Sequence, residues 1–246
     1  YEELFNEINA NKGGINCGVE VFDRADSTEE FQAMFSVRGK ALYTKMDFLF
    51  KMIGEILNSS KLEDTKRLYE IIASVKSRAQ VNLTGAGHST AVLRAAAYSS
   101  PMAAFQDEMA GIGYYQFIEK LEKDFEQRKE ETVEELCKLM KKILRPENFM
   151  ISYTGERESL ETVQKLAGAV KAGLGTEPVE KSEEKLTCTK KNEGFKTSGQ
   201  VQYVAQTGNF KKKGLEYTGA LEILKVILSY DYLWINLRVK GGAYGC

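Results

Sequence analysis

Histidine is almost missing from this chain: among 246 residues only His88 carries an imidazole. Zinc enzymes generally hold their metal with two or more imidazoles plus a carboxylate or thiolate, so one histidine without a nearby cysteine cannot build such a site alone. Neither H-E-x-x-H nor H-x-x-E-H occurs. A Ser-His-Asp triad on His88 is conceivable, but no G-x-S-x-G elbow supports it. A helix-cap or packing role suits this side chain better. Cysteine is sparse too. Cys17, Cys137, Cys188 and Cys246 lie far apart with no C-x-x-C pair, which reads as single thiols in a reducing compartment. Three prolines and no Pro-rich or Gly/Ser-rich run exclude low-complexity linkers. No apolar run is long enough to span a bilayer, and no signal peptide is visible. A formal net charge of -1 gives no general attraction to nucleic acid or to an anionic membrane.

What is present suffices for a packed core, since 43% of residues are hydrophobic and 28% charged. The length suits one large domain or two ordinary ones. The chain begins at Tyr1 rather than methionine and stops on a glycine-rich stretch, Gly241 to Cys246, so the expectation is a piece of a longer protein.

The periodicity changes along the chain. Residues 13–22 and 31–38 alternate as strands. From Lys40 to Leu57, Leu42, Met46, Leu49, Ile53, Ile56 and Leu57 recur at three and four, which predicts an amphipathic helix. Asp64 can cap a second helix running to about Leu83, and Thr84 to Gly87 should break it. Ser89 opens an alanine-rich helix through Tyr98, whose small residues let another element approach. A mixed stretch follows Pro101. Tyr114 to Leu144 reads as one long helix or two abutting ones, with a solvated Glu/Lys face. Arg145-Pro146-Glu147-Asn148 is a break, because proline disfavours helix at the residue before it. Beyond it the pattern predicts a strand over 148–154, a helix over 158–172, a Lys/Glu-rich loop or edge strand over 173–199, a strand over 200–205, and a helix over 214–237, roughly 35 Å long at about 1.5 Å per residue. The expected fold class is therefore α+β, in two αβ domains, residues 1–144 and 145–246, each incomplete and each pairing antiparallel sheet with helices.

Few motifs suggest chemistry. Gly85-Ala86-Gly87-His88-Ser89-Thr90 lacks the third glycine of a dinucleotide loop and follows a helix rather than a strand. Lys211 to Lys213 lack the glycine spacing of a phosphate loop and read as a solvated turn. The tail Leu237 to Gly245 stands apart. Two glycines permit a sharp turn where a helix ends. Arg238 and Tyr244 flank it, and such a pair can donate hydrogen bonds to a substrate carbonyl or a developing oxyanion. A plain helix end with a surface arginine is the other reading of the same residues.

That tail, with Leu228-Ser229-Tyr230-Asp231-Tyr232-Leu233-Trp234 before it, resembles the C-terminal region of pitrilysin/insulinase-type zinc metallopeptidases, most nearly the presequence protease/falcilysin branch. Gly13-Gly14-Ile15, the stretch from Ser89 through Tyr115, and Gln200 to Val204 agree with that branch. The resemblance covers nearly the whole chain. It implies a two-halved enzyme closing around a chamber, each half made of two αβ domains. The zinc belongs to the first half, in an inverted H-x-x-E-H motif with a distal glutamate. The second half, to which this chain would belong, has no metal and supplies an arginine and a tyrosine to the peptide. Arg238 and Tyr244 match those two positions. The resemblance thus implies zinc bound outside this chain, an N-terminal zinc-bearing half as partner, and peptide substrates, with no nucleic acid or membrane partner. The chain alone would be inactive, and the location cytoplasmic, or organellar in a eukaryote. Inactive subunits and scaffolds of the same fold supply the alternative reading.

Overall fold

The fold is that of a computed structural model, which describes residues 14–24, 26–180, 186, 188–197 and 199–245. Gly13, where the first expected strand begins, lies outside the described residues, as do Cys246 and residues 181–185, 187 and 198 of the weakly patterned stretch. The chain is α+β: a helix-rich body with one two-stranded antiparallel sheet among the described residues. It divides into two compact units, Tyr1–Gln206 and Thr207–Cys246.

In the first unit, β1 (Gly14–Asp23) and β2 (Phe31–Lys40) run antiparallel from Gly14 opposite Lys40 to Asp23 opposite Phe31. Val19 sits opposite Phe35, and Glu20 binds both Arg38 and the Ser36 hydroxyl across the ladder. A lone hairpin is marginal in water, and this one gains support from helices. Phe31 packs on Phe105 with ring centroids 5.3 Å apart.

The helices follow in order. α1 spans Met46–Ser59, with Met46, Leu49 and Met52 buried. Leu42, expected in that apolar set, precedes a short 3-10 turn and is 75% exposed. α2, Thr65–Gly85, starts where the sequence places it, and the Asp64 carboxylate accepts the Arg67 N–H at 3.0 Å. Only Ala86 separates it from α3, Gly87–Ala97. The mixed stretch after Pro101 is a helix, α4 (Pro101–Ala110). Ser100 caps it through the Ala103 N–H, with proline in the first turn. The expected long helix is two, α5 (Ile112–Lys123) and α6 (Phe125–Ile143), divided at Asp124. After the 145–148 break comes α7, Leu160–Ala172. Buried Arg145 fastens that break by donating to Glu147 and to the Glu177 carbonyl.

The strands expected at 148–154 and 200–205 do not form. A strand is a pairing, and one without a neighbour leaves its N–H and C=O groups unmatched. Among the described residues β1 and β2 pair only with each other, and the apolar side chains of the two failed strands, such as Val204 at 85%, stay exposed. The core gathers where α2, α5 and α6 meet. Phe125, 1% exposed, packs there with Ile72 and Ile118, flanked by Leu68, Val75, Tyr114 and Leu121. Burying such a side chain is worth about 1.5–3 kcal/mol. A second layer joins α1 to α7 through Val163, Ala167 and Val170.

The second unit opens with a tight turn at Lys211–Lys213, closed by Gly214 at φ +79°. The expected helix over 214–237 begins later and runs further. α8 covers Ala220–Ile227 and continues as a wider π-helical segment, Leu228–Val239. Its apolar side chains, among them Ile223, Ile227 and Trp234, are exposed.

Candidate functional site at the Arg238 turn

The π-helical segment ends in a nested turn. The Gly242 N–H donates to the Arg238 carbonyl and the Ala243 N–H to the Leu237 carbonyl, both at 3.0 Å. Each ring is one residue wider than in a Schellman cap, as the helix itself is wider than an α-helix. Gly242 takes φ +74°, open to glycine without strain. At Gly241 a Cβ would sit 2.5 Å from the Leu237 carbonyl oxygen, so the close approach there also excludes a side chain.

This turn brings the two expected site residues together. Arg238 lies in the last turn of the helix, and its Nη1 donates to the backbone carbonyl of Tyr244. Its guanidinium carbon stands 4.7 Å from the centroid of the Trp234 ring, a cation–π contact that orients the fork. The Tyr244 side chain is 82% exposed. Arg238 therefore keeps guanidinium donors beyond the one used on Tyr244, and the phenol adds another. Exposed donors on one rigid turn suit the carbonyls of an extended peptide.

His88 belongs elsewhere. It is exposed at the start of α3, 6.3 Å from the Tyr203 ring. Beside it, Gly87 is buried under that ring, and a Cβ there would fall within its contact radius.

Sequence reasoning did not foresee the most deeply buried charge cluster. Asp107 on α4 is 2% exposed and accepts the N–H groups of Ile112 and Gly113 at 3.0 and 3.1 Å, which caps α5. Arg94 on α3 donates to the same carboxylate at 2.6 Å. Arg94 also donates to both oxygens of Glu193, at 2.8 and 3.1 Å, and the Tyr98 hydroxyl donates to Glu193 too. Hydrogen bonds from Arg94, and after it from Tyr98, hold the Glu193 carboxyl down at about 2. The hydrogen bond to Glu193, and after it the contact with Asp107, push the Arg94 pKa upward against the opposing effect of burial.

Among the described residues no three His, Cys, Asp or Glu side chains gather where they could hold a metal ion. The residues present do not fit zinc. No helix of the described residues is long and apolar enough to cross a membrane.

Residues 1–121 match a family model for the region associated with peptidases of the C subfamily of the pitrilysin-type family. The chain is 36% identical to "Protein HypA" of Clostridium perfringens, over 100% of this chain and 25% of that protein. It is 27% identical to "Presequence protease 1, chloroplastic/mitochondrial" of Arabidopsis thaliana, over 98% of this chain and 23% of that protein. It is 26% identical to "Presequence protease, mitochondrial" of Saccharomyces cerevisiae, over 100% of this chain and 26% of that protein. The chain thus spans about a quarter of the length of these curated relatives.

Proposed function

We propose that this chain, which belongs to the presequence-protease branch of the pitrilysin-type peptidases, is part of the substrate-enclosing, non-zinc half of a zinc metalloendopeptidase that degrades peptides. The observation that carries the reading is the turn that ties Arg238 to Tyr244. Zinc, when bound on the N-terminal half, supplies the activated water for the hydrolysis. The residues of this chain do the holding. Arg238 fixes a carbonyl of the peptide backbone. The Tyr244 hydroxyl donates to the scissile carbonyl oxygen, and that bond strengthens as negative charge develops there. Residues 1–144 and 145–246 are contributions to the two αβ domains of this half. The parent works in the cytoplasm, or in an organelle where the cell is eukaryotic.

The test uses the full-length parent and a peptide substrate. Tyr244→Phe should lower kcat by on the order of a hundredfold and change KM less, because the contact is made mainly in the transition state. Arg238→Ala should raise KM as well. An unchanged kcat removes Tyr244 from the mechanism and leaves the non-catalytic scaffold as the better reading. The isolated chain should hydrolyse nothing, and zinc-dependent cleavage by it would overturn the assignment.

A further inference from the structure

We infer that residues 188–197 form a strap latched over α3 by a single carboxylate, Glu193, with Arg94 as the fixed half of the latch. Three observations carry it, and none depends on the peptidase reading.

The first is that Arg94 is anchored from below. Asp107 holds it at 2.6 Å and is itself tied to two backbone N–H groups at the start of α5. The guanidinium is therefore in place whether the strap is present or not. The second is the form of the contact. Both Glu193 oxygens accept from Arg94, at 2.8 and 3.1 Å, and Tyr98 adds its hydroxyl. A two-point contact of this kind fixes orientation as well as distance. The Phe195 ring adds a cation–π contact, its centroid 5.7 Å from the Arg94 guanidinium carbon. The third is the contrast within the strap. The Glu193 side chain is three-quarters covered, while Lys190, Lys191 and Lys196 on either side of it are exposed. The backbone lies outside and the carboxylate reaches in, which is how a latch is built.

Limited trypsin digestion of the chain tests the inference, because those three lysines flank the latch. Cleavage at each is followed by mass spectrometry, with Lys138 on α6 as the control site. Glu193→Gln keeps the shape and removes the charge. It should speed cleavage at Lys190, Lys191 and Lys196 by about tenfold, the worth of one charged hydrogen-bond pair, and leave Lys138 unchanged. Tyr98→Phe removes only the phenolic donor and should speed the same sites by a smaller factor. Acceleration at the strap sites in neither variant overturns the latch. So does a parallel rise at Lys138, since the opening would then be global.

Discussion

The Arg94 guanidinium meets the buried Asp107 carboxylate at 2.6 Å, and the same carboxylate caps α5. One side chain thus joins α3, α4 and α5. Asp107→Ala would leave two N–H groups without a partner and Arg94 without its inner counter-charge. Removing one member of a buried pair is costly because the other stays uncompensated. The expected loss is about 3 kcal/mol in urea unfolding. A loss below roughly 1 kcal/mol would mean that water replaces Asp107 without penalty.

The pH dependence of the strap follows from Glu193. Its carboxyl is depressed to about 2, against roughly 4.3 for a free glutamate. A depressed carboxyl stabilises the folded state above its unfolded value, and that stabilisation goes as pH falls through the folded one. The groups facing it are Arg94, Tyr98 and Lys191. An NMR titration of the Glu193 carboxyl should therefore show a midpoint near 2, with the strap intact at pH values where most carboxylates have begun to protonate. A midpoint at the ordinary glutamate value would show that the contact is not populated in solution.

Gly87→Ala sets two effects against each other. Alanine gains about 1 kcal/mol over glycine inside a helix. Here its Cβ would fall within the contact radius of the Tyr203 ring. The substitution should destabilise the chain as it stands and stabilise a Tyr203→Ala background by roughly 0.5–1 kcal/mol. Equal effects in both backgrounds would separate Tyr203 from Gly87.

Gly241→Ala tests the turn without touching either donor. The added Cβ would press on the Leu237 carbonyl at 2.5 Å and force the nested hydrogen bonds apart. In the full-length parent, kcat should fall by an amount approaching that of Tyr244→Phe while the melting temperature moves little, since the tail is exposed. Full activity would mean that the turn does not position Tyr244.

Local signals were legible and pairings were not. Asp64 announced α2, and the three-and-four spacing placed Met46 and Leu49 on the buried face of α1. The α4 signal was also present, in Ser100 as cap and Pro101 after it, but its mixed composition hid it. The strands at 148–154 and 200–205 failed because alternation describes one strand, whereas a ladder needs two. Arg94 and Glu193 lie 99 residues apart, and no spacing rule reaches that far. At the Arg238 turn, Gly241-Gly242 foretold a sharp reversal. The bond from Arg238 to the Tyr244 backbone carbonyl, rather than to the phenol, came only from the fold.

The wide bore of Leu228–Val239 stores chain length. A π-helix places more residues in each turn than an α-helix, so this segment holds slack that a tighter winding would release. Loss of one residue could be absorbed by that tightening with the helix left continuous. The rotation would turn Arg238 away from Trp234 and from the fold of the tail. The segment tolerates a change in length as a helix and does not tolerate it as a bearing for the arginine.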